Sequence, residues 1–294
     1  MPYAKTDDGI NLYYEEVGSG QTLIFVHEFA GDWRSWEYQM RYFARYFRCV
    51  TYSARGYLPS DVPEDPKQYS QERAVKDIVA IMDHLGVEKA HICGLSMGGF
   101  ASLHMGISYS HRVSSLVIAG CGYGAEPAKK ESFQAEVEAA AQLFDDVGNV
   151  EAGKKYTIGP TRVQYQNKDP RGFAEFVEQM KEHPAIGSAN TLRGVQKMRP
   201  SLWELVDGMK TITVPTLVIT GDEDDPCLEP ALLMKRMIPS AGLVIFSKAG
   251  HTNNIEDPDI FNRHLTEFYF TVLAGRWTLR DSRSLATGIL GFKK

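Results

Sequence analysis

A serine hydroxyl becomes a nucleophile at neutral pH only when a base takes its proton and an acid orients that base. The chain holds one serine in a setting suited to that role: Ser96, within Cys93-Gly94-Leu95-Ser96-Met97-Gly98-Gly99. Gly-x-Ser-x-Gly is the sequence form of a nucleophile elbow, a sharp strand-to-helix turn that lifts the serine above a sheet. The apolar run Ala90-His91-Ile92-Cys93 leads in, and a helical stretch from Phe100 to Met105 leads out. Residues two before and two after the serine crowd such a turn, so Gly94 and Gly98 are the types it needs. The pentapeptide alone also fits an idle serine on a glycine-rich turn.

The base and the acid must come from elsewhere. In a parallel sheet the loops at the carboxyl ends of the strands converge on one rim. Two loops follow apolar strands and carry suitable groups: Gly221-Asp222-Glu223-Asp224-Asp225-Pro226, and Ser247-Lys248-Ala249-Gly250-His251-Thr252-Asn253-Asn254. Asp222, Asp224 and Asp225 all compete for the acid. Among the eight histidines, His251 stands out as the base. His84, His91, His104, His111, His183 and His264 fall in or beside helices and strands, where packed or exposed roles are the plainer reading.

The elements that must position these groups are legible in outline. Residues 2–17 read as a hairpin turning at Asp7-Asp8-Gly9. Thr22 to Val26 is a continuous apolar run, as in a strand buried on both faces. Trp33 to Phe47 has helical spacing, Cys49 to Tyr52 reads as a strand, and Ser70 caps a helix that runs to Leu85. A second strand–helix unit surrounds Ser96, and Val113 to Ala119 is another strand. Alternation of this kind implies an α/β chain with a mostly parallel sheet covered by helices on both faces. It stops after Gly124. From 125 to 208 the segments are helical and amphipathic, with Glu131–Phe144, Arg171–Lys181 and Thr191–Met198 the clearest. Val214 to Thr220 resumes the sheet, Pro230 to Met237 is a helix, Leu243 to Phe246 a strand and Pro258 to Leu273 a last helix. The expected organisation is a core over 1–124 and 209–273, an inserted helical cap over 125–208, and a basic C-terminal extension over 274–294 with no evident role.

Composition narrows the partners. The 294 residues are 43% hydrophobic and 23% charged, with a net charge of −5 and no long basic run. That weighs against nucleic acid or an anionic membrane surface. The polar N-terminus lacks the apolar region of a signal peptide, and no stretch has the roughly 18 apolar residues of a membrane span. Cys49, Cys93, Cys121 and Cys227 lack metal-ligand spacing. A reduced, cytoplasmic protein without a metal or organic cofactor, acting on a small molecule, is the expectation, and a homo-oligomer is compatible with it.

Five motifs in register carry a family resemblance: His27-Glu28-Phe29-Ala30-Gly31 after one strand, Ala54-Arg55-Gly56 after the next, the Ser96 elbow, Gly221-Asp222-Glu223-Asp224, and Gly250-His251. Over about residues 10–272 the chain resembles the α/β-hydrolases, in their serine esterase and lactonase-like branch with a helical lid. The resemblance implies Asp224 as the acid, His251 as the base and Ser96 as the nucleophile. It implies Phe29 and Met97 as backbone N–H donors of the oxyanion hole, and His27 as a structural brace. Serine at the elbow speaks against haloalkane dehalogenases and epoxide hydrolases, whose elbow carries aspartate. Hydrolysis of a small ester or lactone is the expected reaction. Carbon–carbon bond hydrolysis of ring-cleavage diketones and cofactor-free perhydrolysis share the same machinery. Phe29, Trp33 and Tyr123 are candidates to wall the acyl pocket.

The chain departs from the family at Glu28, where glycine is usual. A carboxylate there, ionised and inward, would oppose a developing oxyanion. Either it points outward as a tolerated loop residue, or it points inward with a raised pKa and orients water or substrate. Ser53 and Leu58 depart around Arg55-Gly56, which reads as structural. Two other classes compete with a hydrolase. Gly120-Cys121-Gly122-Tyr123-Gly124-Ala125 fits a dinucleotide fingerprint, but it lies mid-chain and precedes helices. A ligand receptor could also use this fold, though it would not need a Ser, Asp and His set.

Overall fold

Every residue of Thr22–Val26 is buried, and alternate side chains enter different cores: Leu23 and Phe25 on one side, Ile24 and Val26 on the other. A strand buried on both faces belongs at the centre of a sheet, and this one sits between two parallel neighbours. A computed structural model describes residues 2–285. Its sheet has eight strands: β1 (Tyr3–Lys5), β2 (Asn11–Val17), β3 (Thr22–Val26), β4 (Arg48–Tyr52), β5 (Ala90–Leu95), β6 (Val113–Ala119), β7 (Thr216–Gly221) and β8 (Ala241–Phe246). The order is β1-β2-β4-β3-β5-β6-β7-β8. Only β1 with β2 and β2 with β4 pair antiparallel; the other five pairings are parallel.

Helices cover both faces. In chain order they are α1 (Glu37–Phe43), α2 (Gln71–His84), α3 (Met97–Ser108), α4 (Lys130–Thr157), α5 (Val163–Lys168), α6 (Pro170–Lys181), α7 (Ala185–Thr191), α8 (Val206–Lys210), α9 (Asp225–Met237), α10 (Asn253–Glu256) and α11 (Pro258–Leu273). On one face α2, α3, α8 and α9 bury Ile78, Ile81, Leu103, Met209 and Met234 against Ile92, Leu116 and Val218. On the other, α1 and α11 bury Met40, Phe43, Phe261, Leu265 and Tyr269 against Cys93, Val117 and Ile219. Between β6 and β7 the described chain is helical, and its apolar side chains form a third cluster with Phe29, Tyr57 and Met97 at the sheet's rim.

Local signals shift several expected boundaries. Trp33 to Phe47 is not one helix: Asp32 accepts from Arg34 N at 2.8 Å and, with Ser35, forms a capping box on a 3₁₀ turn before α1. The stretch expected as a helix over 191–198 becomes α7 followed by a π turn, Leu192–Gln196, in which Lys197 N–H donates to Leu192 O at 2.9 Å. Gly148, at φ 74°, breaks α4. Helix α9 starts at Asp225 and includes Pro230 rather than beginning there. Of the expected extension over 274–294, residues 286–294 lie outside the described part. Trp277 packs over Phe268 with centroids 4.7 Å apart, and its indole N–H donates to Ser240 O at 2.8 Å.

Arg55 ties the loop after β4 to α2. Its Nε and Nη2 donate to the Asp77 carboxylate at 2.7 Å each, and its Nη1 and Nη2 reach Asp8 at 2.8 and 3.0 Å. Burial pushes the Asp77 carboxyl up, and the Arg55 guanidinium opposes that push. Arg55→Met would strand a buried carboxylate, which only Arg73, 3.4 Å away, would partly compensate. The expected loss is about 3 kcal/mol of unfolding free energy, read by urea denaturation; a loss under about 1 kcal/mol would place the network outside the stabilising core.

Candidate active site

The corner between β5 and α3 is built by backbone contact. Ser96 lies at φ 55°, in the left-handed region that is strained for a side chain. Its N–H donates to Ala119 O of β6 at 2.8 Å, and its carbonyl accepts from Phe100 N at 2.9 Å. A Cβ at Gly94 would lie 2.1 Å from Gly98 O, and one at Gly98 would lie 2.1 Å from Val26 O. Only glycines let α3 begin hard against the ends of β5 and β3. Between Ala90 and Leu103 every residue but Ser96 is buried, so the turn delivers one side chain to the rim and hides the rest.

Asp224 and His251 meet beyond β7 and β8. Asp224 Oδ2 is 2.7 Å from His251 Nδ1. Asp224 is 1% exposed and stands at the N-cap of α9, where the helix dipole favours an anion. Burial alone would raise its carboxyl, but the His251 charge and hydrogen bond, with help from Cys227 and Arg162, hold it below the usual value. Of its competitors, Asp222 is exposed and accepts from Ala249 N at 3.2 Å, and Asp225 is exposed at the first turn of α9. The His251 loop is anchored throughout. Gly250 N–H donates to the Glu256 carboxylate at 3.0 Å, Asn253 Nδ2 to Gly250 O at 2.8 Å, and His251 N–H to Thr161 O at 3.0 Å.

The glycine-rich stretch that fits a dinucleotide fingerprint is accounted for by packing. A Cβ at Gly120 would stand 3.3 Å from the His251 ring; one at Gly122 would meet Pro230 at 2.5 Å, and one at Gly124 the Phe133 ring at 2.1 Å. The stretch makes room for the imidazole and for the entry into α4. Among the described residues, one group of donor atoms is compact enough to suggest a metal: Asp224, Cys227 and His251, within 4.8 Å of one another. Burial pushes the Cys227 thiol well up, so it stays protonated, and His251 Nδ1 is already engaged by Asp224. That donor set suits a proton relay better than a cation, which needs a thiolate.

Ser96 and His251 border one cavity of about 580 Å³. Among the described residues, no hydrogen bond joins the Ser96 hydroxyl to the imidazole; such contacts often close only around a substrate. Nor do the backbone N–H groups of Phe29 and Met97 meet a protein acceptor among those residues. Both residues are buried, and unpaired buried N–H groups are uncommon. The loop bearing Phe29 is braced by His27: its Nε2 accepts from Ala54 N at 3.0 Å, so Nδ1 carries the proton and donates to Glu28 O at 2.6 Å. Burial lowers the pKa of His27 to about 4, which keeps the ring neutral.

Two expectations require correction. Glu28 neither points to solvent nor enters the cavity as a lone carboxyl. It is 2% exposed and held by both Nη atoms of Arg162, at 2.8 and 2.5 Å. Arg162, 4% exposed, comes from the turn before α5 and borders the Ser96 cavity with Glu28 behind it. The Glu28 charge is spent on a cation. Trp33 does not border the cavity: it opens the 3₁₀ turn before α1 and packs edge-on against Tyr13, centroids 5.6 Å apart. Tyr123 does border it, with its hydroxyl 3.1 Å from Glu136. Thr161, Arg162, Gln196 and Arg199 also line it and escaped the sequence reading. They sit on turns and short irregular pieces between helices, where no periodicity marks a face. The one available signal was charge: an arginine following Gly159-Pro160-Thr161 and one preceding Pro200.

A doubly wound sheet in this order, with a strained serine at one corner and an Asp–His pair beyond the last strands, is the layout of the alpha/beta hydrolases. The family model described as alpha/beta hydrolase fold matches residues 21–258, and the chain belongs to that family of enzymes. It is similar to a putative 2-succinyl-6-hydroxy-2,4-cyclohexadiene-1-carboxylate synthase of Bacillus subtilis, 27% identical over 274 residues, 92% of this chain and 95% of that one. It is 27% identical over 240 residues to 3-oxoadipate enol-lactonase 1 of Acinetobacter baylyi, covering 81% of this chain and 85% of the other. A thermophilic esterase from Thermogutta terrifontis superposes with a TM-score of 0.80 at 25% identity, over 92% of this chain and 98% of its own.

Glu28→Gln removes the carboxylate that pairs with Arg162 and leaves the guanidinium buried without a salt-bridge partner among the described residues. We expect a loss of about 3–5 kcal/mol in urea denaturation. The double variant Glu28→Gln/Arg162→Leu should recover part of that loss. Independent, additive effects of the two substitutions would show that the pair is not coupled.

Proposed function

We propose that the protein hydrolyses a small carboxylic ester or lactone through an acyl-Ser96 intermediate. The reading rests on one observation: the Asp224–His251 pair, at 2.7 Å, opens on the same cavity as a serine held at φ 55°. The names of relatives that act on esters and lactones support it.

His251 takes the Ser96 proton as Oγ attacks the carbonyl carbon. Asp224 holds the ring tautomer with Nδ1–H toward its carboxylate and stabilises the imidazolium that forms. Charge gathers on the carbonyl oxygen, and the unpaired N–H groups of Phe29 and Met97 receive it. Each such donor lowers the barrier by about 2.7–4 kcal/mol. His251 then protonates the leaving alcohol. A water, deprotonated by the same ring, attacks the acyl carbon and returns Ser96. Residues 125–208 act as the cap that encloses the acyl group, with Tyr123 and Tyr156 on the cavity wall. No step draws on a metal or organic cofactor. Four buried, unpaired thiols suit a reducing, cytoplasmic setting.

Ser96→Ala should lower kcat/KM for any ester substrate by about 10⁴-fold or more, with urea unfolding within about 0.5 kcal/mol of wild type. Asp224→Asn should lower it by about 10⁴-fold. A fluorophosphonate should label the wild type and not Ser96→Ala. A panel of esters, lactones, vinylogous diketones and peroxide acceptors, run on both proteins, reads the reaction. Ester turnover that survives in Ser96→Ala would sink the mechanism, and turnover of the diketones alone would move it to carbon–carbon cleavage.

A further inference from the structure

Two arginines border the catalytic cavity in opposite electrostatic situations. Arg162 is neutralised by Glu28. Arg199 is 7% exposed, and no carboxylate within salt-bridge distance faces it among the described residues. Its Nη2 donates to Tyr123 O. Its guanidinium lies 3.7 Å over the Phe100 ring and 5.3 Å from the Phe133 centroid. Its Nε has no acceptor. The ionisable groups that interact with it are Cys121, Cys227 and Tyr156, all three pushed up by burial, and His104, whose pKa burial and the Arg199 charge lower to about 4. They are neutral at physiological pH and supply no counter-charge.

Gln196 repeats the pattern three residues earlier. It is 8% exposed and borders the same cavity, with its Nε2 covered by protein atoms. It ends the π turn Leu192–Gln196. Such turns shift the side-chain register by one residue and gather at functional sites. Both residues thus reach the wall of the cavity that Ser96 borders, and one of them is a buried cation with no carboxylate in salt-bridge reach among the described residues. Burying an uncompensated cation is costly unless an anion completes it.

We propose that Arg199, on the cavity wall it shares with Gln196, forms a subsite for a carboxylate that the substrate carries in addition to the bond being cleaved. The substrates are then anionic: half-esters of dicarboxylic acids, esters of carboxylated alcohols, or lactones bearing a free acid. The inference rests on the acyl-Ser96 reading and adds the substrate class. Burial lowers the Arg199 pKa to about 10, which leaves it cationic at neutral pH. Asp222, Glu223 and Asp225 also border the cavity. None of them is buried, and Glu223 is engaged by Gln164 at 2.6 Å and Lys248 at 3.3 Å. Water and salt screen such charges, whereas the Arg199 side chain is buried.

The test compares matched esters with wild-type protein. Monophenyl adipate against phenyl hexanoate places the carboxylate on the acyl side; 4-acetoxybenzoate against phenyl acetate places it on the leaving side. The expected result is a kcat/KM at least about tenfold higher for the anionic member of one pair. Arg199→Gln should bring that ratio to near one, with a smaller change for the neutral ester, and Arg199→Lys should keep part of the preference. Should Arg199→Gln fail to fold, competitive inhibition of the wild type by adipate, and not by hexanamide, is the expected support. Equal rates within both pairs, on protein whose Ser96 still takes a fluorophosphonate, would overturn the subsite and spare the nucleophile. Absence of both labelling and ester turnover would sink the acyl-serine reading, and the subsite with it.

Discussion

Backbone packed on backbone at the β5–α3 corner is the constraint on which the site depends. Gly94 and Gly98 have no room for a Cβ, because each would sit about 2.1 Å from a carbonyl oxygen. That closeness fixes where α3 begins. It brings Met97 N–H beside the end of β3, where the Phe29 loop departs, and forces Ser96 into positive φ. One steric condition thus sets both the direction of the Ser96 side chain and the place of Met97 N–H. Ser96 N–H bonded to Ala119 O carries the same condition across to β6, and Gly120, the next residue, leaves space for His251. Ser96, Met97 N–H and His251 are therefore not separately placed. They share one set of backbone contacts, and a shift in one strand end moves all of them.

The helices between β6 and β7 are attached to this corner by charge and by backbone. Thr161 O receives His251 N–H. Arg162, the next residue, forks onto Glu28 in the loop that carries Phe29. Lys168 reaches Glu256 at 2.9 Å, and Glu256 in turn holds Gly250. The turn before α5 and α5 itself thus reach both loops that the chemistry requires. A buried ion pair is a poor source of net stability, because desolvation offsets most of the Coulomb gain. The pair constrains docking instead: a misplaced turn before α5 would leave Glu28 and Arg162 buried without each other.

Much of this was legible in the sequence, and for identifiable reasons. The strands β3, β5, β6 and β7 are runs buried on both faces, so composition alone marks them. The elbow and the Gly250-His251 pair are local patterns whose geometry is fixed by neighbours in the chain. Asp224 was separable from Asp222 and Asp225 only through family spacing, since nothing in Gly221-Asp222-Glu223-Asp224-Asp225 tells which carboxylate turns inward. Glu28 was legible as an anomaly but not as half of a pair, because Arg162 lies 134 residues away. Trp33 does not reach the cavity because the 3₁₀ turn that Asp32 caps starts at it and its ring packs on Tyr13. Contacts between distant turns leave no periodic trace, and that class holds all the residues the reading missed.

The charges around the cavity follow a rule that neither the sheet nor the elbow imposes. A buried arginine can be kept by a carboxylate, as Glu28 keeps Arg162, or by aromatic faces and carbonyls, as Phe100 and Tyr123 keep Arg199. Guanidinium is weakly hydrated and stacks well, so the second solution is less costly for arginine than it would be for lysine. It leaves the positive charge uncancelled, however, and a buried charge is screened less than one in water. Had the fold needed Arg199 only as a brace, a neutral side chain filling the same space would avoid the desolvation cost. Retention of the cation on the wall shared with Ser96 makes sense when something negative spends part of its time there. A charge that developed on the carbonyl oxygen would also feel it, so the arginine would favour the transition state as well as an anionic ground state. The two effects differ in where they show. Help to the transition state raises kcat for every substrate, while recognition of a substrate carboxylate separates anionic from neutral ones.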